Sequence, residues 1–313
     1  MKAKLSIVVP FYNEVDNVAP LYRAVSDAVL ALNCTYELIF VDDGSEDGTT
    51  EELKRIQAQD PSVAVLEFRR NFGQTAAMRA GIQAAKGSII ITMDGDLQND
   101  PQDMGKLVTK IEEGYDLAIG WRKNRKDPAL SRTLPSRIAN ALIGRITGVK
   151  VHDSGCSLKA YRSSMIKRVP LYSEMHRFIP AMSQLQSARI TEVVVNHHPR
   201  HRGQSKYGIS RVGKVLLDVV AIKMLISFRH HPLQWFSCLS IPFLGCATFA
   251  GIAYALSRLQ GEHSTVVAPI AFLLFLYLAV HFLFVGLLAE LVVRAGNRQA
   301  FPKADVEHVN ASH

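Results

Sequence analysis

The first half of the chain alternates between two spacings of apolar residues. "LSIVVPFYNE", from Leu5 to Glu14, is an apolar run that ends in a polar loop, and "NVAPLYRAVSDAVLAL" then carries apolar residues at helical spacing. "YELIFVDDGSEDGT" repeats the strand with an acidic turn, and a helix follows over "TTEELKRIQAQ". "VAVLEF" and a helix in "TAAMRAGIQAAK" come next. Ile89 to Met93, β-branched and apolar, then predict a buried strand that runs into Asp94 and Asp96 in "GSIIITMDGDLQND". Such alternation predicts a mostly parallel α/β sheet, whose ligands bind outside the carboxyl ends of its strands. Pro10 to Glu14, Asp42 to Gly48, Arg70 to Gln74 and Asp94 to Gln98 are all expected along that edge.

The carboxy-terminal part has a different pattern. Pro232 to Ser257 and Ser264 to Ala289 are two runs of 26 residues, each without Asp, Glu, Lys or Arg. As helices rising about 1.5 Å per residue, each reaches roughly 39 Å, enough to cross a hydrocarbon layer of roughly 30 Å. Joined by the short "RLQGEH", they predict a transmembrane hairpin over 232–257 and 264–289. Arg229, His230 and His231 precede it, and Arg294, Arg298 and Lys303 follow it. The positive-inside rule therefore puts both ends, and the large amino-terminal domain, in the cytoplasm.

Composition adds less. The 313 residues are 48% hydrophobic and carry a formal charge of +8, which fits an anionic partner: a phosphate-rich ligand, a membrane surface or, on charge alone, nucleic acid. Four cysteines, Cys34, Cys156, Cys238 and Cys246, form no CxxC pair and suit a reducing compartment. "MKAKLSIVVP" has only a five-residue apolar run before Pro10, so no signal peptide is expected there.

The charged positions carry the chemistry. A carboxylate such as Asp47, ahead of "GTTEE", reads first as a helix cap. Asp94 and Asp96 differ, because like charges at about 4 Å repel by roughly 4 kcal/mol at an effective dielectric near 20 unless a cation joins them. A hard divalent ion with oxygen ligands fits, with Gln98 as a further oxygen donor. "GWRKNRKDPALSRTLPSR" is rich in cations, and "IANALIGRITG" after it reads as a helix lying on a membrane surface. "VGKVLLDVVAIKMLISF" reads as a second interfacial helix leading into the first span. His197, His198 and His201 in "NHHPRHR" lack nearby acidic or Cys partners and are expected in a polar loop rather than a metal site.

Taken in order, "VVPFYNE", "VDDGSEDGT", "RNFGQTAAMRAGI", "MDGDLQNDP", "DSGCSLKAYR" and "HRGQSKYGISR" ahead of two spans resemble the family 2 glycosyltransferases. The likeness is strongest to the bacterial polyprenyl-phosphate glycosyltransferases and to dolichol-phosphate mannose synthase. It implies a GT-A, Rossmann-like domain over 1–210, with an interfacial helix at 136–148. A juxtamembrane helix at 211–231, the hairpin and a cytoplasmic tail at 290–313 follow, in a bacterial inner membrane protein. It implies an inverting transferase that moves one sugar from a UDP- or GDP-linked donor to polyprenyl (undecaprenyl) phosphate with Mg2+ or Mn2+. No nucleic acid is implied, and a homo-oligomer is left open. Position by position, Pro10, Tyr12, Glu14 and Asp43 match the residues that hold base and ribose, and Asn71 and Gly73 shape the loop beside the donor. Asp94, Asp96 and Gln98 match the metal and diphosphate positions. Arg122, Arg132 and Ser136, with Arg202 and Lys206, match the lipid-phosphate site. Asp153 matches a position near the acceptor, where it orients the acceptor or its basic residues. A general-base role for it is the alternative, since a phosphate monoester is already ionised near neutral pH.

Two competing readings are a processive polysaccharide synthase of the same superfamily and a non-catalytic assembly protein. The first carries a QxxRW signature, yet neither Trp121 nor Trp235 follows an arginine. The second is expected to have lost the paired aspartates, which this chain keeps.

Overall fold

The computed structural model describes residues 4–123, 144, 149, 151–171, 175–184, 187–199, 232–260 and 266–300. The chain falls into two compact units, 1–222 and 223–313. In the first, β1 (Leu5–Phe11), β2 (Tyr36–Asp42), β3 (Val63–Glu67) and β4 (Ile89–Thr92) alternate with α1 (Val15–Leu30), α2 (Thr49–Gln59) and α3 (Gln74–Ala84). A 3-10 turn at Pro101–Asp103, started by the Asp100 carboxylate accepting from the Gln102 amide, leads into α4 (Met104–Glu112). β5 (Leu117–Trp121), β6 (Lys159–Arg162), α5 (Ser163–Ile166), α6 (Ile179–Gln184) and β7 (Ile190–Val194) complete the unit.

The seven strands form one sheet in the order β3-β2-β1-β4-β6-β5-β7. Only β6 runs against its neighbours: it pairs antiparallel with both β4 and β5, while the other pairs are parallel. The mostly parallel sheet expected from the sequence is therefore present, with one reversed strand inside it. β1 and β4 are buried along almost their whole length, which is why both read as apolar runs rather than as alternating strands. Leu5, Ile7, Val9 and Phe11 of β1 pack with Val18, Leu21 and Val25 of α1 and with Leu107 and Ile111 of α4 in one core. Phe11 meets Phe40 edge-on, with ring centroids 5.5 Å apart, a contact worth about 1 kcal/mol beyond its buried area.

The second unit contains α7 (Pro232–Leu259) and α8 (Val267–Ala300), whose apolar stretches 232–259 and 267–293 are each long enough to cross a membrane. The second helix runs past the uncharged segment expected to end at Ala289 and includes Glu290, which accepts from the Leu233 amide at 3.5 Å. That carboxylate meets a first-turn amide of α7, so continuing the helix through a charge gains a partner. Phe243 and Phe282 stack across the pair at 5.3 Å. Large apolar side chains such as Ile241, Phe249 and Leu291 point outward, an arrangement suited to hydrocarbon and costly in water. Both interfacial helices expected from the sequence, 136–148 and 211–231, lie outside the described residues apart from Gly144.

One buried histidine makes the first unit sensitive to acid. His176 is enclosed beside Thr75, with Nδ1 and Oγ1 2.8 Å apart. Burial, with Arg177 and Lys159 nearby, pulls its pKa down to about 3 from the usual 6.5. The unfolded chain therefore binds this proton more readily, and its contribution to stability is lost as pH falls from 6.5 towards 3, at about 1.4 kcal/mol per unit. Thermal unfolding of the full-length protein should show a steeper loss of melting temperature between pH 6.5 and 5 than the His176→Gln variant. Equal slopes would remove His176 from the acid response.

Candidate active site

The site is built where β1, β2 and β4 end side by side. β1 runs into Tyr12, Asn13 and Glu14, a turn held to the loop after β2: the Asn13 amide donates to Ser45 Oγ at 2.9 Å and the Glu46 amide to Asn13 Oδ1 at 2.9 Å. Asn13 takes a positive φ of 53°, which suits asparagine better than a branched residue. The Glu14 amide donates to Thr49 Oγ1, and its carboxylate accepts from Asn17 Nδ2 at 2.5 Å. Pro10, Tyr12 and Glu14 are thus brought together at one strand end and are all half-buried.

The two aspartates that close β2 face different tasks. Asp42 is fully buried and accepts from Ser45 and from Thr50 Oγ1, which ties the loop to the start of α2. Asp43 holds the loop after β3: Oδ1 accepts from the Phe72 amide at 2.8 Å, and Oδ2 from the Gly73 amide at 2.9 Å and Asn71 Nδ2 at 3.0 Å. Burial raises its pKa, and the Phe72 and Gly73 amides work against that shift. Asp43, Asn71 and Gly73, expected near one another, therefore form a single hydrogen-bonded unit. The approach needs Gly44, because a Cβ there would lie 2.4 Å from the Arg70 carbonyl carbon and its φ is +72°. Asp47 accepts from the Thr49 amide at 3.0 Å and the Val15 amide at 3.2 Å, so it serves the starts of two helices, as a capping carboxylate does.

Asp94 and Asp96 follow β4. Asp94 Oδ1 accepts from Gln74 Nε2 at 2.6 Å, and the Asp94 amide donates to Ser157 Oγ at 3.2 Å. Ser157 Oγ also accepts from Asn99 Nδ2 at 2.7 Å. Asp96 is buried, and its Oδ1 accepts from the Gln98 amide at 3.2 Å across Leu97, whose φ is 59°. Enclosure of Asp94 and the charge of Asp96 beside it raise the Asp94 pKa to about 6, against the hydrogen bond from Ser157. The Gln98 side chain makes no hydrogen bond among the described residues, while its carbonyl accepts from the His198 amide at 2.9 Å. Two crowded carboxylates and an uncommitted amide oxygen are a hard-oxygen donor set, and they fit a divalent cation such as Mg2+ or Mn2+. The residue between the aspartates is constrained as well. A Cβ on Gly95 would lie 2.7 Å from the Phe11 ring.

Beyond β4 lies a buried ion pair. Arg122, just after β5, donates to Asp153 from Nε at 2.7 Å to Oδ2 and from Nη2 at 3.0 Å to Oδ1. Burial opposes the charge on Arg122, but Asp153 more than offsets it and raises the pKa. Such a bidentate pair is stable when both partners are present and costly to break singly, by about 3–5 kcal/mol. Next to it, His152 stacks on Trp121 at 4.3 Å and bonds Glu192 at 2.8 Å. Arg132, Ser136, Arg202 and Lys206 lie outside the described residues. His197 is buried and bridges to Asn99, so it does not belong to the solvated polar loop expected from the sequence. His198 reaches Asp100 at 3.2 Å, and His201 lies outside the described residues.

Sequence reasoning did not single out Gln74, Ser157 or Lys159. All three stand inside quoted motifs, "RNFGQTAAMRAGI" and "DSGCSLKAYR", but no spacing rule shows that the start of α3 and the segment entering β6 converge on Asp94.

Known proteins match both the order and the fold. Residues 6–170 match Glycosyl transferase family 2. The chain is 44% identical over 301 residues to a dodecaprenyl-phosphate galacturonate synthase of Rhizobium johnstonii, covering 93% of this chain and 88% of that protein. It is 34% identical to an undecaprenyl-phosphate 4-deoxy-4-formamido-L-arabinose transferase of Pseudomonas fluorescens, covering 99% of this chain and 91% of that protein. Among solved structures, glucosyl-3-phosphoglycerate synthase from Mycobacterium tuberculosis, in complex with Mn2+, UDP and glucosyl-3-phosphoglycerate, shares the fold. Its TM-score is 0.54 at 19% identity, over 71% of this chain and 79% of that one. With a GT-A sheet, paired aspartates at the end of its central strand and full-length relatives of one kind, this chain belongs to glycosyl transferase family 2.

Proposed function

We propose that this glycosyltransferase moves one sugar, with inversion, from a nucleoside diphosphate donor to polyprenyl phosphate on the cytoplasmic face of a bacterial inner membrane. The observation that carries the reading is the pair Asp94 and Asp96 at the carboxyl end of β4, in a chain that continues into two apolar helices. The relatives named for dodecaprenyl- and undecaprenyl-phosphate support the acceptor class. The catalytic domain is assigned to 1–210, followed by a juxtamembrane helix at 211–231, the hairpin and a cytoplasmic tail.

Each part of the site has a task in this reading. Asp94, Asp96 and Gln98 hold the Mg2+ or Mn2+ that, when bound, supplies positive charge to the departing diphosphate. Gln74 and Ser157 fix Asp94 in place by hydrogen bonds. Pro10, Tyr12 and Glu14 line the nucleoside pocket, and Asp43 shapes it by gripping Asn71, Phe72 and Gly73. Asp153 has both oxygens bonded to Arg122, so it orients that guanidinium toward an anionic acceptor and leaves the attack to an oxygen that is already ionised. Arg132, Ser136, Arg202 and Lys206 are assigned to the lipid phosphate on their sequence context. The apolar hairpin keeps the enzyme in the membrane that dissolves its acceptor.

Metal dependence tests the paired aspartates. Excess chelator, or Asp96→Asn, should cut transfer by about 100-fold or more, with no drop in melting temperature, because the substitution also relieves like-charge repulsion. Full activity in chelator would end the metal assignment.

Product analysis tests the acceptor. Membranes containing the protein, given labelled nucleotide sugars and polyprenyl phosphate, should form a lipid-linked monosaccharide labile to mild acid, and the uncharged polyprenol should stay unmodified. Asp153→Asn should retain a measurable fraction of turnover. Polymer ladders, or equal use of the alcohol, would contradict the lipid-phosphate acceptor, and complete loss in Asp153→Asn with unchanged substrate binding would restore the base role.

A further inference from the structure

Lys159, in the charge cluster around Asp94 and Arg122, has no assigned task so far. It opens β6, the reversed strand, opposite Thr92 on β4 and Ile119 on β5. Asp94 lies two residues beyond Thr92 and Arg122 three beyond Ile119, so Lys159 sits one step beneath the edge, between the paired aspartates and the Arg122–Asp153 pair. It is 2% exposed. Its Nζ donates to the Cys156 carbonyl, and this is its only hydrogen bond among the described residues. An ammonium has three N–H donors, so two remain without an acceptor among the described residues. Burial lowers its pKa, with Arg122 adding to the shift, and Cys156, Asp153 and Asp94 offset only part of it.

A buried, under-bonded ammonium is unfavourable for the fold, and an apolar side chain of similar length usually does better there. Its position offers a reason to keep the charge. Among the described residues, Asp94, Asp96 and Asp153 face Arg122 and Lys159, which leaves this group of five with one net negative charge. A divalent cation turns that into one net positive charge, whereas without Lys159 the loaded site would be neutral. We propose that Lys159 is a fixed counter-charge that makes the cation-loaded site net positive toward the anionic diphosphate. It acts through the local field and does not itself need to touch the donor.

The inference rests on the metal reading above, and binding measurements separate the two. Full-length protein in detergent at pH 8 is titrated with Mn2+ alone, followed by electron paramagnetic resonance, and then with UDP and GDP at saturating Mn2+. Lys159→Met and Lys159→Gln should bind Mn2+ at least threefold more tightly, since a like charge has been removed. They should bind the better of the two nucleotides about tenfold more weakly, and the metal-free variants should melt at or above the wild-type temperature. No Mn2+ binding by the wild type would overturn both readings. Wild-type binding with unchanged or weaker affinity in both variants would overturn this inference alone, as would a melting temperature lowered by more than about 5 °C in both, which marks a structural lysine.

Discussion

Two carboxylates held one residue apart at the end of a buried strand set the conditions for everything around them. Their repulsion is already visible in the Asp94 pKa, raised to about 6 by its enclosure and by Asp96. Left to itself, that strain would be relieved by turning one side chain out to water. The surroundings prevent this: Gln74 bonds the Asp94 carboxylate, Ser157 takes its amide, and Asp96 is locked into a turn by the Gln98 amide. These partners come from α3, from the loop before β6 and from the turn itself, so the pair keeps its geometry only if the whole sheet edge is assembled. Preorganisation of this kind lets a site meet incoming charge without rearranging.

Much of the fold was legible in the sequence because β1, β2 and β4 are buried on both faces and are separated by amphipathic helices. Periodicity reports such elements well. β6 and β7 escaped that reading for physical reasons. β6 has only four residues and contains a buried lysine and an arginine, a composition that reads as a surface turn. β7, "ITEVV", has no buried residue and gains its place by pairing with β5 and by the packing of Val193 on the core. The reversal of β6 depends on which strands it meets, and no local pattern encodes that.

The site shows the same division. Asp43, Asp94 and Asp96 could be marked from their positions after predicted strands, because a strand end fixes where its next residues lie. Gln74 and Ser157 could not, since each matters through a bond to Asp94 from a distant part of the chain, nor could Lys159, which matters through the strands it lies between. Asp153 is intermediate. Its motif drew attention, but its bidentate hold on Arg122 is a property of the folded chain alone.

The Phe11 ring against Gly95 has a consequence for how such a site can vary. The middle residue of the acidic triplet has no room for even a methyl group while Phe11 keeps its place against Phe40. Any side chain introduced there has to be accompanied by a smaller residue at position 11, which would open a gap in the core beneath the turn after β1. Positions 11 and 95 are therefore linked as a pair, 84 residues apart in sequence, and their identities are expected to change together or not at all. A core aromatic thus limits the evolutionary freedom of the site's most charged segment.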